Sequence, residues 1–345
     1  MTARHRRRDI PVLLLYNADP AWDSADREEA SGIAFQMKAA LLAEGHPVAP
    51  VCVQSRDLQG ALAAFQPQDH VVLNWCEELP GLPRSEAQVA GTLEALGFVY
   101  TGSAPDVLDR CWDRRRVKSL LDCLGIPTPR WRCVEPRAQL PPWNCFPAIV
   151  KPALEHCSSG ITPEAVVLDS RELARRIAYV HQIFGQPAVV EEFIDGRELH
   201  VTVWGNGTIE VLPLAEMDFS YFTDLRDRLC TFDAKFTPGS PHYERIEVRI
   251  PAPVGEEVKL GIEKTVRDTY RAFGCRDYAR IDVRLRGGTC LVLDVNPNAD
   301  LSPDTSLAGA AQAAGFSYGA FASHLVNLAA HRHPAFAPPD GADPF

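Results

Sequence analysis

At 345 residues, 46% of them hydrophobic and 23% charged, the chain has apolar material for two or three packed domains. A formal charge of -10 and a pI near 5.5 exclude the basic stripe that a nucleic-acid partner needs. No run approaches the roughly 20 apolar residues of a membrane span. Ten cysteines, none in a Cys-x-x-Cys pair, match a reducing, cytoplasmic setting rather than a disulfide framework.

Arg4, Arg6, Arg7 and Arg8 make a basic start, and the apolar stretch Val12 to Tyr16 after them is too short for a signal-peptide core. Residues 10 to 104 then alternate strand and helix. Val12 to Tyr16, Val48 to Val53 and Val71 to Leu73 read as strands, and a helix runs from about Ser24 to Glu44. Ser85-Glu86-Ala87-Gln88 reads as a capping box that opens a helix stopping at Gly97. Such alternation predicts a parallel sheet with helices on its faces. One helix is expected from Asp106 to Leu124, ended by Gly125 and Pro127. Strands follow from Ala148 and at Ala188 to Glu192, with a helix opened by Ser170 between them. Antiparallel strands with helices near 254 to 274, 304 to 314 and 317 to 331 complete the chain. The fold class is thus α/β and α+β: an N-terminal α/β domain over 9–104, α+β subdomains over 105–190 and 191–332, and a loosely held tail over 333–345.

Three segments carry chemistry. Lys151 ends a strand and is followed by Glu155-His156-Cys157-Ser158-Ser159-Gly160, a small-residue loop able to hold phosphates through N–H groups, hydroxyls and one cation. An exposed lysine beside a serine-rich hairpin loop would read the same. Glu191-Glu192-Phe193-Ile194-Asp195-Gly196-Arg197-Glu198 joins two strands through an Asp-Gly turn, either as a nucleotide edge or as an acidic surface hairpin.

The third segment is the hairpin Tyr278 to Leu285 and Cys290 to Asn296. A two-residue Gly287-Gly288 turn would set Asp282 against Leu293. A three-residue loop through Thr289 sets Asp282 against Asp294 and Arg280 against Asn296, with Val283 facing Leu293 and Leu285 facing Leu291. The apolar pattern favours the three-residue loop. Carboxylate and amide oxygens on one face suit Mg2+, and with no His or Cys in this cluster zinc is not indicated. Solvated outer-face acids of an ordinary hairpin are the alternative.

In chain order, Tyr100-Thr101-Gly102-Ser103, Lys151-Pro152 with Ser158-Ser159-Gly160, Glu191-Glu192-Phe193-Ile194 with Gly196 and Glu198, Ala234-Lys235, Arg280-x-Asp282 and Asp294-x-Asn296 resemble the ATP-grasp superfamily, in its D-alanine-D-alanine ligase branch. The resemblance covers nearly the whole chain. It implies two α+β subdomains that clasp ATP and a ligase that activates a carboxylate as an acyl phosphate for attack by an amine, releasing ADP and phosphate. By the same resemblance, Lys118 and Lys151 contact phosphates, with Ser158 and Ser159 in the loop closing over them. Glu191 faces adenine, Glu192, Phe193 and Ile194 form its edge, and Glu198 binds ribose. Lys235 reaches the terminal phosphates, and Asp282, Asp294 and Asn296 hold Mg2+, for which Mn2+ can substitute. Arg280 stabilises the tetrahedral oxyanion, and Ser306 binds the acceptor carboxylate at a helix start. The implied partners are small-molecule carboxylate and amine substrates, amino acids among them, and a second copy in a homodimer.

The chain also departs from that branch. Its loop reads Glu155-His156-Cys157-Ser158 for Glu-Gly-Ser-Ser, Phe236 replaces a tyrosine, and Asn74-Trp75-Cys76-Glu77 replaces a His-Gly segment. Arg114 stands where the ligases tend to have lysine, and Pro297-Asn298-Ala299-Asp300 replaces a Thr-x-Pro-Gly type. The nucleotide motifs are intact and the amino-acid motifs altered, so substrates other than two D-alanines are expected. A true D-alanine-D-alanine ligase and a catalytically idle nucleotide-binding regulator are the alternatives.

Overall fold

The computed structural model describes residues 7–138 and 142–337; Arg4, Arg6 and the end of the expected tail lie outside them. Strands are β1 (Val12–Asn17), β2 (Val48–Val53), β3 (Val71–Trp75), β4 (Val99–Tyr100), β5 (Trp131–Val134), β6 (Ala148–Pro152), β7 (Val166–Val167), β8 (Ala188–Glu192), β9 (Glu198–Trp204), β10 (Glu210–Val211), β11 (Ala215–Asp218), β12 (Glu247–Arg249), β13 (Tyr278–Arg286) and β14 (Thr289–Asn296). Helices are α1 (Ser24–Glu44), α2 (Leu58–Leu62), α3 (Glu86–Ala95), α4 (Pro105–Trp112), α5 (Arg114–Cys123), α6 (Ser170–Phe184), α7 (Asp233–Phe236), α8 (Pro241–Arg245), α9 (Glu256–Phe273), α10 (Ser306–Ala313) and α11 (Tyr318–Ala330).

The first sheet is parallel, in the order β2-β1-β3-β4. All six residues of β1 are buried, as a run apolar on both faces requires. The expected capping box does not form. Ser85 Oγ is drawn inward, accepting from Leu79 N–H at 2.7 Å and donating to Leu82 C=O at 2.6 Å, and α3 starts without a side-chain cap. The single helix expected over 106–124 is two, because Asp113 leaves helical geometry (φ -98°, ψ 107°) and its carboxylate caps α5 at Arg115 N–H. Val107, Cys111, Val117 and Leu121 of this pair pack in one core with β9, β13 and α9, not with the central sheet.

The second sheet, β5-β8-β6-β7, is antiparallel and covered by α6, whose cap is Asp169 rather than Ser170. The third runs β12-β11-β9-β13-β14. Strands β8 and β9 belong to different sheets, so the Asp195-Gly196 turn is a crossover and not a surface hairpin. Its tightness requires glycine: a Cβ on Gly196 would lie 2.0 Å from the Leu285 carbonyl oxygen.

One face of the third sheet packs on α9, with Val201, Ile281 and Val292 against Ile262, Val266 and Phe273. The opposite face, by strand alternation, carries Glu198, His200 and Thr202 beside Arg284, Asp282 and Arg280. The hairpin corrects the expected register. Its turn is the two-residue Gly287-Gly288, both at positive φ (52° and 84°), with Arg286 opposite Thr289. Val283 meets Val292 and Leu285 meets Cys290; a β-bulge at Leu293 then inserts one residue and restores Asp282 opposite Asp294 and Arg280 opposite Asn296. The functional pairing stands, but the bulge rather than a longer loop produces it.

Helices α10 and α11 join the third sheet to the first: Leu307, Phe321 and Leu325 share a core with Trp204 and Tyr278 on one side and Val12, Leu14, Leu73 and Met37 on the other. Buried Asp277 reinforces this junction, accepting from Gly102 N–H (2.9 Å), Asn206 Nδ2 (2.8 Å) and both terminal nitrogens of Arg332 (2.7 and 2.8 Å). The start of the expected loose tail is pinned, for the His333 ring bonds the Pro67 carbonyl at 3.0 Å and stacks on Phe336; residues 338–345 lie outside the described ones.

Candidate active site

Helix α5, strands β6 and β8 and the β14 edge bring five charges together. Glu191, with no exposed surface, lies 3.0 Å from Lys118 Nζ and 3.3 Å from Lys151 Nζ. Lys118 also donates to Thr128 Oγ1 at 2.9 Å and to the Val292 carbonyl at 3.3 Å. Asp294 Oδ2 is 3.9 Å from Lys151, and its Oδ1 is 3.5 Å from Arg114 Nε. Burial opposes the Asp294 charge, but Lys151, Arg114 and Lys118 outweigh it and hold the carboxyl at about 2. Burial likewise opposes the Glu191 charge, and the two lysines hold that carboxyl below its usual range. The Glu191 carboxylate is therefore a bridge between two cations.

On the neighbouring strand, Arg280 grips Asp282 through Nε (2.8 Å) and Nη2 (3.2 Å), and Asn296 Nδ2 donates to Asp282 Oδ2 at 3.0 Å. Spending its N–H2 on Asp282 leaves Asn296 Oδ1 without a hydrogen bond among the described residues, so Asp282, Asp294 and Asn296 offer oxygen donors only. That donor set fits Mg2+.

Loop 155–161 is anchored at both ends. His156 Nε2 bonds the Trp112 carbonyl at 3.1 Å and its ring lies 4.3 Å from the Trp112 ring, while Ser158 Oγ donates to the Cys230 carbonyl at 2.9 Å. Desolvation, then Arg114, pushes His156 down to about 4, so it is neutral at pH 7. Ser159 N–H is taken by the His156 carbonyl within the loop. Exposed Lys235 on α7 and Phe236 next to it flank this loop, and Phe232 N–H bonds the Ile161 carbonyl at 3.1 Å.

At the crossover, Glu192 N–H donates to the Arg130 carbonyl (2.8 Å) and Phe193 N–H to the Pro147 carbonyl (2.9 Å), whereas Ile194 N–H has no partner among the described residues. Glu192 Oε1 forms an ion pair with Arg286 Nη2 at 2.6 Å. Glu198 Oε2 accepts from Arg284 Nε at 2.8 Å, and Arg284 also donates to the Ile194 carbonyl and stacks on Phe193 (4.5 Å to the centroid). Thr305, not Ser306, caps α10; Ser306 Oγ instead lies 3.3 Å from His200 Nδ1.

Arg284 and His200 escaped the sequence reading although a signal existed. They continue the alternation of Arg280 and Asp282 on β13 and of Glu198 on β9. Cys230, which the fold brings beside Glu198 and His200, had no spacing signal, and neither did the acids on the far side of Cys157. There, desolvation and then Asp300 push Glu77 up to about 7, and Glu86, which accepts from Asn298 Nδ2 at 2.6 Å, is pushed up to about 8 by desolvation. Burial pushes the Cys157 thiol up, and the charges of Glu77, Lys235, Arg280 and Asp300 also bear on it.

Two antiparallel α+β sheets that face each other across paired lysines and an acid-amide metal face define an ATP-grasp ligase. The D-alanine-D-alanine ligase of Bacillus anthracis, solved in complex with ATP, has this fold: TM-score 0.73, 21% identity, 93% of this chain and 97% of that one. The family profile described as D-ala D-ala ligase C-terminus matches residues 120–327. The D-alanine-D-alanine ligase of Desulforudis audaxviator is 31% identical over 316 residues, covering 90% of this chain and 96% of that protein. An uncharacterised protein of Sinorhizobium fredii, y4sG, is 31% identical over 312 residues, covering 87% and 88%. The chain belongs to the D-alanine-D-alanine ligase family, whose members are ATP-dependent carboxylate-amine ligases. Among the described residues no helix is long and apolar enough to cross a membrane.

Proposed function

We propose that this ligase joins an amino-acid carboxylate to an amine other than in a D-alanine pair, in specialised metabolism. The carrying observation is the contrast between the two halves of the site. On the nucleotide side the charges are buried and paired: Lys118 and Lys151 serve the phosphates, Glu191, expected at the adenine, bridges the two lysines instead, and Ser158 and Ser159 lie in the closing loop. The open Ile194 N–H, beside Glu192 and Phe193, meets an adenine edge, and Glu198 serves the ribose. Asp282, Asp294 and Asn296 would hold Mg2+, which would supply charge neutralisation at the transferring phosphoryl. Lys235 approaches from α7.

A substrate carboxylate oxygen bonds to the γ-phosphorus as the bond to ADP breaks. The neutral amine then bonds to the acyl carbon as the carbon–oxygen bond to phosphate breaks, the departing phosphate taking the proton the nitrogen loses, with Arg280 steadying the oxyanion and Ser306 the acceptor carboxylate. On the substrate side, Cys157 and Phe236 hold no hydroxyl to share, and Glu77, Glu86 and Asp300 form a surplus of carboxylates suited to an ammonium-bearing substrate. A phosphate-release screen over D- and L-amino acids and amines, with mass spectrometry, tests this; AMP and pyrophosphate as products would reject the acyl-phosphate route.

A D-alanine-D-alanine ligase proper is the second reading, supported by the names of the relatives. It is removed if saturating D-alanine yields no dipeptide. Ten free cysteines support a cytoplasmic setting, and Phe35 and Leu42, exposed one heptad apart on α1, support a homodimer, checked by light scattering. Residues 9–104, 105–190 and 191–332 are proposed as its functional units.

A further inference from the structure

We propose that Glu198, His200 and Cys230 form a site for one zinc-class ion, on the same sheet face as Asp282 but with ligands of its own. Their ligand atoms, a carboxylate oxygen, an imidazole nitrogen and a thiol sulfur, lie within 4.8 Å of one another. His200 Nε2 and Glu198 Oε1 are 3.6 Å apart, close to the roughly 3.4 Å between N and O ligands of a tetrahedral zinc ion. Mixed N, S and O donors select a borderline ion such as Zn2+ or Co2+ over Mg2+.

The surroundings orient each donor as an outer shell does. His200 Nδ1 faces Ser306 Oγ at 3.3 Å; with its proton there, the Nε2 lone pair turns toward Glu198 and Cys230. Arg284 holds Glu198 Oε2 at 2.8 Å and leaves Oε1 turned to His200. The Cys230 backbone is fixed by Ser158 Oγ on its carbonyl at 2.9 Å. Three protein ligands leave the fourth position open. Because Glu198 is also the ribose carboxylate of the proposed function, an ion here would oppose the nucleotide; that consequence alone rests on the ligase reading.

The test is a Co2+ titration of the nucleotide-free, full-length protein. A thiolate-to-cobalt charge-transfer band saturating at one equivalent and abolished by added Zn2+ is expected. Cys230→Ser should remove the band and weaken binding by at least about tenfold, the lower bound set by outer-shell changes, while Cys157→Ser should keep it. In the wild type, Zn2+ should also protect Cys230 from iodoacetamide in peptide maps, a readout independent of whether the variants fold. A wild type without the band, a band retained in Cys230→Ser, or Cys230 alkylated equally with and without Zn2+ would overturn the proposal. None of these readouts uses turnover, so an inactive protein would refute the ligase reading and leave this one standing.

Discussion

Glu191→Gln isolates the charge that links the nucleotide half of the site. The substitution keeps size but exchanges one acceptor oxygen for an N–H2 donor, and it removes the only carboxylate within 3.3 Å of both Lys118 and Lys151 among the described residues. Both ammonium groups stay buried. Removing one partner of a buried ion pair costs about 3–5 kcal/mol. Lys118 keeps Thr128 and Val292, and Lys151 keeps Asp294 at 3.9 Å, so the lower end, about 3 kcal/mol, is expected. That is roughly a hundredfold in the folding equilibrium.

Urea unfolding followed by both tryptophan fluorescence and far-ultraviolet circular dichroism measures it, coincidence of the probes licensing a two-state free energy. Lys118→Met with Glu191→Gln should be less destabilised than the sum of the single changes, with a coupling of about 2 kcal/mol. The pH signature has a definite sign. The folded carboxyl lies below its unfolded value, so its contribution is present above about pH 4.5 and lost as pH falls through the folded pKa. Glu191→Gln lacks that slope. A variant within about 1 kcal/mol of wild type, or a coupling near zero, would show that the carboxylate does not bridge the lysines.

Asp294→Ala is expected to lower kcat by at least about a hundredfold with a smaller change in folding, if Asp294 supplies the metal oxygen proposed for it, and it leaves Arg114 and Lys151 facing each other; near-wild-type turnover across a Mg2+ titration counts against the site. Glu86→Gln keeps an acceptor for Asn298 but cannot ionise. The wild-type carboxyl, raised to about 8, contributes stability fully present below its unfolded value near 4.5 and lost as pH rises through 8, so thermal midpoints of the variant should fall less over that range. Parallel curves refute the assignment. Cys157→Ser with Phe236→Tyr restores hydroxyls on facing loops; if those loops select the substrate, the ratio of kcat/KM for D-alanine to that for the best substrate from the screen rises, and an unchanged ratio places selection elsewhere.

Alternation made much of this fold legible. Continuous apolar strands and amphipathic helices marked the first sheet, and the ends of α1 fell at Ser24 and Glu44 as expected. What failed was local competition. Ser85 looked like a cap until tertiary contacts claimed its hydroxyl, and Asp113 looked like helix interior until it capped the next helix. The hairpin is the most instructive case, because two registers each satisfied part of the pattern. The Gly-Gly turn won at one end and the acid pairing at the other, and one bulged residue reconciled them. Long-range partners such as His200 with Ser306, 106 residues apart, leave no mark in local spacing.

The same distinction separates the fixed from the adaptable part of the active site. Glu191 lies between two lysines, Asp294 between Arg114 and Lys151, and Asp282 between Arg280 and Asn296, so removing any of the three acids leaves a buried or half-buried cation less well paired. Across Cys157 the balance is different. Burial first, and neighbouring carboxylates after it, raise Glu77 and Glu86 toward neutrality, and Asn298 is tied to Glu86 and to Tyr278 OH. A substrate that brings its own ammonium would supply the missing charge there. Selectivity would then arise from carboxylates that are poorly satisfied until the substrate arrives, while the rigid half keeps the phosphoryl chemistry unchanged as the substrate loops diverge.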